Sequence, residues 1–265
     1  MEFLMVIGLG LVGLAAGTLG GMFGIGGGSI IVPALMLLLN FSQTQANGTS
    51  LAALLLPVGI LGCIEYYRAG KLKIGPAVAS ALGIALGVWF GAGFALGLDA
   101  LTLRQAYAIF LFYIAWRYTS PRLWWRESHG LGEVKIREET LIDVSRPIIL
   151  VACVAIGALA GVFAGLFGIG GGLVIVPLLI LLGFDQKLAT GTSLGALLLP
   201  SGLPGVIRYY QAGQLEILAA LPVALGLLLG ALLGARFALG LSAKTVRRLF
   251  GIFLFFIGLR FILVA

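Results

Sequence analysis

An all-α, polytopic integral membrane fold made of two copies of one unit is predicted by three observations. The 265-residue chain is 60% hydrophobic and only 10% charged, with a mean hydropathy of +1.13. Motifs in its first half return, in order, in its second half. In each half a glycine cluster precedes an apolar segment too short to cross a bilayer. A soluble domain of this size carries about 25% charged residues. This chain has far fewer, and its apolar stretches fill the space between short polar connections, as bilayer solvation requires.

Composition also excludes partners. The net charge of +7 comes from residues in loops and at segment ends, so the lipid bilayer explains it and nucleic acid does not. Cys63 and Cys153 occupy non-equivalent positions and read as packing residues. His129 reads as a solvated loop residue. Residues 1–20 lack the basic start of a signal peptide, and residues 147–167 repeat their pattern, so they are expected to be retained.

The duplication is read residue by residue. Gly24–Gly28 (GIGGG) returns as Gly168–Gly172, and Ile31-Val32-Pro33 as Ile175-Val176-Pro177. After a one-residue deletion, Gly48-Thr49-Ser50-Leu51 returns at Gly191-Thr192-Ser193-Leu194 and Ala53–Pro57 (ALLLP) at Ala196–Pro200. Tyr66-Tyr67 matches Tyr209-Tyr210, and Phe94–Leu98 matches Phe237–Leu241. The expected division is a first repeat over 1–119, a cytoplasmic inter-repeat loop over 120–146 and a second repeat over 147–265.

Each repeat holds about five helical segments. These are 3–23, 29–41, 48–67, 73–97 and 104–119, then 147–167, 173–183, 191–209, 216–240 and 245–264. Most approach the ~20 residues of a spanning helix. Ser29–Phe41 would reach only about 20 Å at ~1.5 Å per residue, so it and its counterpart are expected to be broken or re-entrant elements at the GIGGG motifs. Lysine and arginine set the orientation. They gather at Arg68, Lys71 and Lys73 after segment three of the first repeat, but at Lys244, Arg247 and Arg248 after segment four of the second. With a basic inter-repeat loop, this reversal predicts inverted repeats.

The candidate site is the pair of breaks. Consecutive glycines weaken a helix, and irregular backbone survives in a bilayer only where protein or a wet cavity surrounds it. A helix start after each break offers unpaired N–H groups and partial positive charge to an anion. Candidate substrate-binding residues are therefore Gly26, Gly27, Gly28 and Ser29, with Gly170, Gly171 and Gly172. Asn47, Thr49 and Ser50, with Thr190, Thr192 and Ser193, read as a second pair of helix starts whose hydroxyls cap or donate. The GxxxG-like series Gly13, Gly17, Gly21 and Gly83, Gly87, Gly91, with their second-repeat counterparts, read as packing faces. Glu65 is a candidate for proton coupling, Arg236 an orientation anchor, and the tryptophans suit interface positions. A dinucleotide loop is excluded because no strand or downstream acid accompanies the glycines. No metal cluster, cofactor or nucleophile–base pair is found.

With Gly17-x-x-x-Gly21-x-x-Gly24-Ile25-Gly26-Gly27-Gly28, Pro33, the second copy ending in Pro177 and the paired GTS motifs, the chain resembles the sulfite exporter TauE/SafE family, also called the toluene sulfonate uptake permease family. The resemblance covers essentially the whole chain. It implies a plasma-membrane secondary transporter of small sulfur-containing anions such as sulfite, thiosulfate, sulfoacetate or organosulfonates. An anion channel and a non-transporting membrane assembly factor are the alternatives.

Overall fold

The computed structural model describes residues 3–57, 59–119, 146–241, 252, 255–256 and 258–259. The expected inter-repeat loop, with His129, and most of the last segment lie outside them.

Among the described residues the chain is helical throughout. The first repeat contains α1 (Phe3–Phe23), α2 (Gly28–Leu38), α3 (Gln43–Leu55), α4 (Ile60–Arg68), α5 (Ile74–Gly97) and α6 (Ala100–Thr119). The second contains α7 (Pro147–Phe167), α8 (Gly172–Leu181), α9 (Gln186–Leu198), α10 (Leu203–Gln211) and α11 (Ile217–Gly240). Helices α1, α5, α7 and α11 are long and apolar enough to cross a bilayer, and counting each bent pair α3–α4 and α9–α10 as one span brings the total among the described residues to six. This is a multi-pass membrane protein.

Two segment boundaries differ from the sequence reading. The stretches expected as single segments over 48–67 and 191–209 are each two helices, bent by 52° and 48°. Pro57 and Pro200 supply the reason, since proline has no N–H to continue the ladder. Each pair also starts about five residues earlier than expected. Ser42 opens α3 with a capping box, its side chain accepting from the Gln45 N–H while Gln45 returns the bond. Asp185 opens α9 by accepting from the Lys187 and Leu188 N–H groups at 3.0 Å.

The four long helices pair across the repeats. Helix α1 lies along α11, and α5 along α7. On α1, Gly13, Gly17 and Gly21 face the backbone of Val223, Leu227 and Ala231. On α5, Gly83, Gly87 and Gly91 face Val154, Ala158 and Val162. Residue numbers rise together in both pairs, so each pair runs parallel. A Cβ at any of these glycines would strike a carbonyl of the neighbour, so hydrogen alone permits the contact. A neighbouring face of α5 presents Leu82, Leu86, Phe90 and Phe94, each about 60% exposed, at the four-residue period of a lipid-facing stripe.

Gly87→Val should therefore overpack the α5–α7 seam and lower stability by about 1–3 kcal/mol. Gly8 on α1 has nothing within 4 Å of an added Cβ, so Gly8→Ala should be neutral or stabilise by up to about 1 kcal/mol. Thermal unfolding in detergent reads both, and equal losses would contradict the packing described.

Candidate functional site

Each long helix that begins a repeat ends in a run of left-handed glycines. After α1, Gly24, Gly26 and Gly27 have φ of 74°, 77° and 86°. After α7, Gly168, Gly170 and Gly171 have φ of 67°, 73° and 86°. Such angles crowd a Cβ against the backbone, which is why glycine occupies these places. The chain then re-enters a helix. The Ile30 and Ile31 N–H groups bond to the Gly27 carbonyl, and Val174 and Ile175 bond likewise to Gly171. No acceptor among the described residues engages the N–H groups of Gly26, Gly27, Gly28 and Ser29, or of Gly170, Gly171, Gly172 and Leu173.

The two breaks touch. A Cβ on Gly28 would meet the Gly168 carbonyl and Ile169, and one on Gly172 would meet the Gly24 carbonyl and Ile25. Beside this contact lies a cavity of about 40 Å³, lined by backbone at Gly26 and Gly170 and walled by Leu51, Leu54, Leu194 and Leu197. Its lining residues are otherwise glycine, alanine, further aliphatics and Ser201, with no ionisable side chain. At roughly 10–15 Å³ of such space per water, it has room for about three waters.

The GTS motifs require a correction. They are not helix starts: Thr49 and Ser50 lie inside α3, and Thr192 and Ser193 inside α9, because Ser42 and Asp185 do the capping. Their side chains are spent on joining the repeats. The Ser50 hydroxyl donates to the Gly168 carbonyl at 2.7 Å, and the Ser193 hydroxyl donates to Gly24 at 2.6 Å. Thr49 accepts the Glu216 N–H at 3.0 Å, and Thr192 accepts the Lys73 N–H at 3.4 Å. Glu216 and Lys73 are the N-cap residues immediately before α11 and α5. The glycine of each motif makes room, since a Cβ on Gly48 would meet the Gln214 carbonyl and one on Gly191 the Lys71 carbonyl. Two helix N-termini therefore meet at the site, where four were expected.

The remaining predicted residues divide. Asn47 donates from Nδ2 to the Leu166 carbonyl at 2.7 Å, while its Oδ1 is buried without a partner. Ser29 is 1% exposed and its Oγ has no partner, whereas its counterpart is the apolar Leu173. Thr190 is 2% exposed and accepts weakly from Gln186 at 3.5 Å. Neither Ser29, Asn47 nor any GTS hydroxyl lines the cavity; Gly26 and Gly170 do.

Glu65 is paired. Its Oε1 lies 3.1 Å from Arg236 Nη2, and the arginine side chain is 62% exposed. A pair this open contributes about 0–1 kcal/mol. At the equivalent place in the other repeat, Arg208 fills the space beside Gly93, donates to the Trp89 carbonyl at 2.9 Å and stacks over the Trp89 ring.

Residues the sequence reading passed over complete the site. Tyr66 and Tyr209 are buried and donate to the Gly21 and Gly165 carbonyls at 3.2 and 2.7 Å, tying off the ends of α1 and α7. Lys71 pairs with Asp185 at 3.2 Å across the repeats. Leu54 and Leu197 cover the two glycine breaks. Both belong to the repeated ALLLP motif, whose three consecutive leucines do not single out the one that meets the breaks.

A family profile described as Sulfite exporter TauE/SafE matches residues 9–261. The chain is 31% identical to a protein named as a probable membrane transporter from Methanocaldococcus jannaschii, over 93% of this chain and 91% of that one. Two proteins of Bacillus subtilis, also named as probable membrane transporters, are 29% and 30% identical, over 99% and 86% of this chain and 98% and 88% of their own lengths. No solved structure matches the chain.

Removing the inter-repeat serines tests the join. Ser50→Ala and Ser193→Ala should each cost about 1–3 kcal/mol, because a buried carbonyl loses its donor. The two losses should be similar, and detergent unfolding curves measure them. A loss confined to one serine would show that the two contacts are not equivalent.

Proposed function

The chain belongs to the sulfite exporter TauE/SafE family, and from that premise we propose that this membrane transporter is a secondary carrier of a small sulfur-containing anion. The carrying observation is the pair of glycine breaks. Each leaves four consecutive N–H groups without acceptors at a helix start, and Gly26 and Gly170 bring both breaks to one cavity. Unpaired N–H groups at helix N-termini favour an anion, and a site without lysine or arginine binds it loosely enough to release it. Space for about three waters suits a four-heavy-atom oxyanion such as sulfite, with thiosulfate slightly larger.

Alternating access would follow from inverted repeats, and two features support that arrangement. Helix α3 starts beside Gln214 and Glu216, where α11 begins, through the Thr44–Gln214 and Thr49–Glu216 bonds. Helix α4 ends at the 69–73 connection, where α5 begins. A 52° bend cannot return the chain to its starting face, so α5 and α11 would start on opposite faces. Positive charge agrees with this reading. Arg68, Lys71 and Lys73, the inter-repeat loop, and Lys244, Arg247 and Arg248 then share the cytoplasmic side. Glu65 pairs with Arg236 and does not line the cavity; a coupling role for it would have to act through that pair.

Three measurements test the proposal. Proteoliposomes should take up sulfite with saturation and counterflow; binding indifferent to all sulfur anions but strong for a cation would overturn it, and linear flux would favour a channel. Single cysteines at Ala69 and Ala212 should be labelled from opposite sides of the membrane, and labelling from one side would remove the inversion. Gly26→Ala and Gly170→Ala should both weaken sulfite binding. Each substitution forces a φ of 77° or 73° on a residue with a Cβ, at about 1–2 kcal/mol.

A further inference from the structure

We infer that Leu54 and Leu197 form a size filter that decides which sulfur anions this chain admits. The inference rests on the anion reading above. A Cβ on Gly26 would lie 3.0 Å from a Leu197 methyl and 3.7 Å from a Leu54 methyl. A Cβ on Gly170 would lie 3.0 Å from a Leu54 methyl and 4.0 Å from a Leu197 methyl. Each leucine therefore has methyl groups close to both glycine breaks, and the two side chains, one from each repeat, stand where an anion held by the breaks must fit.

Their positions are held from behind. Leu54 follows Ser50 by one helical turn, and Leu197 follows Ser193 by the same step. Those serines are bonded to the Gly168 and Gly24 carbonyls of the opposite break. The filter therefore stays in register with the backbone donors. Immediately beyond the leucines α3 and α9 end in extended residues and proline, and Gly59 and Gly202 of the two connections also line the cavity. The remaining volume of about 40 Å³ suits an oxyanion better than an aromatic ring.

Shortening the leucines should move that limit. The probes are sulfite and benzenesulfonate, followed by thermal shift of the full chain in detergent and by proteoliposome uptake. Wild type should bind sulfite and reject benzenesulfonate. Leu54→Ala/Leu197→Ala should raise the benzenesulfonate-to-sulfite binding ratio several-fold, with each single variant falling short of the double because the other leucine still covers both breaks. Leu54→Phe/Leu197→Phe should lose sulfite while remaining folded. Loss of packing alone would weaken both anions together and leave the ratio unmoved. Wild type binding sulfite with an unchanged ratio in the folded alanine variants overturns the filter alone. Should the double alanine variant not fold, sulfite affinity undiminished in the phenylalanine pair overturns it equally. Wild type binding no sulfur anion overturns the anion reading and the filter with it.

Discussion

Everything in this molecule depends on how backbone polar groups are satisfied where helices are interrupted inside a bilayer. An unpaired carbonyl in hydrocarbon has no water to turn to. The ends of α1 and α7 solve this with borrowed side chains. Tyr66 and Tyr209 take the carbonyls of Gly21 and Gly165, and Ser193 and Ser50 take those of Gly24 and Gly168. The tyrosines come from the same repeat, the serines from the other. Neither repeat can close its own break alone, so the duplication is a requirement of the chemistry as well as a feature of the sequence.

Two carbonyls at each break are thus tied by side chains, while four consecutive N–H groups of each break are left without an acceptor among the described residues. The cavity between the breaks is lined by no ionisable side chain, so backbone groups are its main polar feature. Glycine spacing supports it at longer range. The parallel seams of α1 with α11 and of α5 with α7 let backbones meet where no hydrophobic effect separates helix from lipid. Large residues are displaced to the outer faces, as the Leu82–Phe94 stripe illustrates.

Much of this was legible in the sequence because it was written twice. GIGGG, the four-residue glycine series and the approximate long helices could be checked against a second copy. The GTS residues were visible but misassigned. Their hydroxyls look like caps, and the true caps, Ser42 and Asp185, differ chemically between the copies, so the repeat comparison did not expose them. The split after Leu55 and after Leu198 was signalled by Pro57 and Pro200, yet the apolar run through each proline masked it. Leu54 and Leu197 were hidden for a simpler reason. In a chain this rich in leucine, one side chain over a glycine break cannot be told from its neighbours until the breaks are brought together.

The two copies are not identical where they meet, and this matters for energy. In a carrier built from two matched halves, the inward-open and outward-open arrangements are mirror images in sequence and would be equally populated. Here Glu65 holds Arg236 on one flank, while Arg208 rests on Trp89 and its carbonyl on the other. Ser29 has Leu173 as its counterpart in the other repeat, and Asn47 has Thr190. In such a carrier these mismatches would lift the degeneracy. For a carrier of this architecture, the resting orientation, and with it the direction in which a gradient is most readily used, would be set by a handful of drifted side chains around an otherwise symmetric frame.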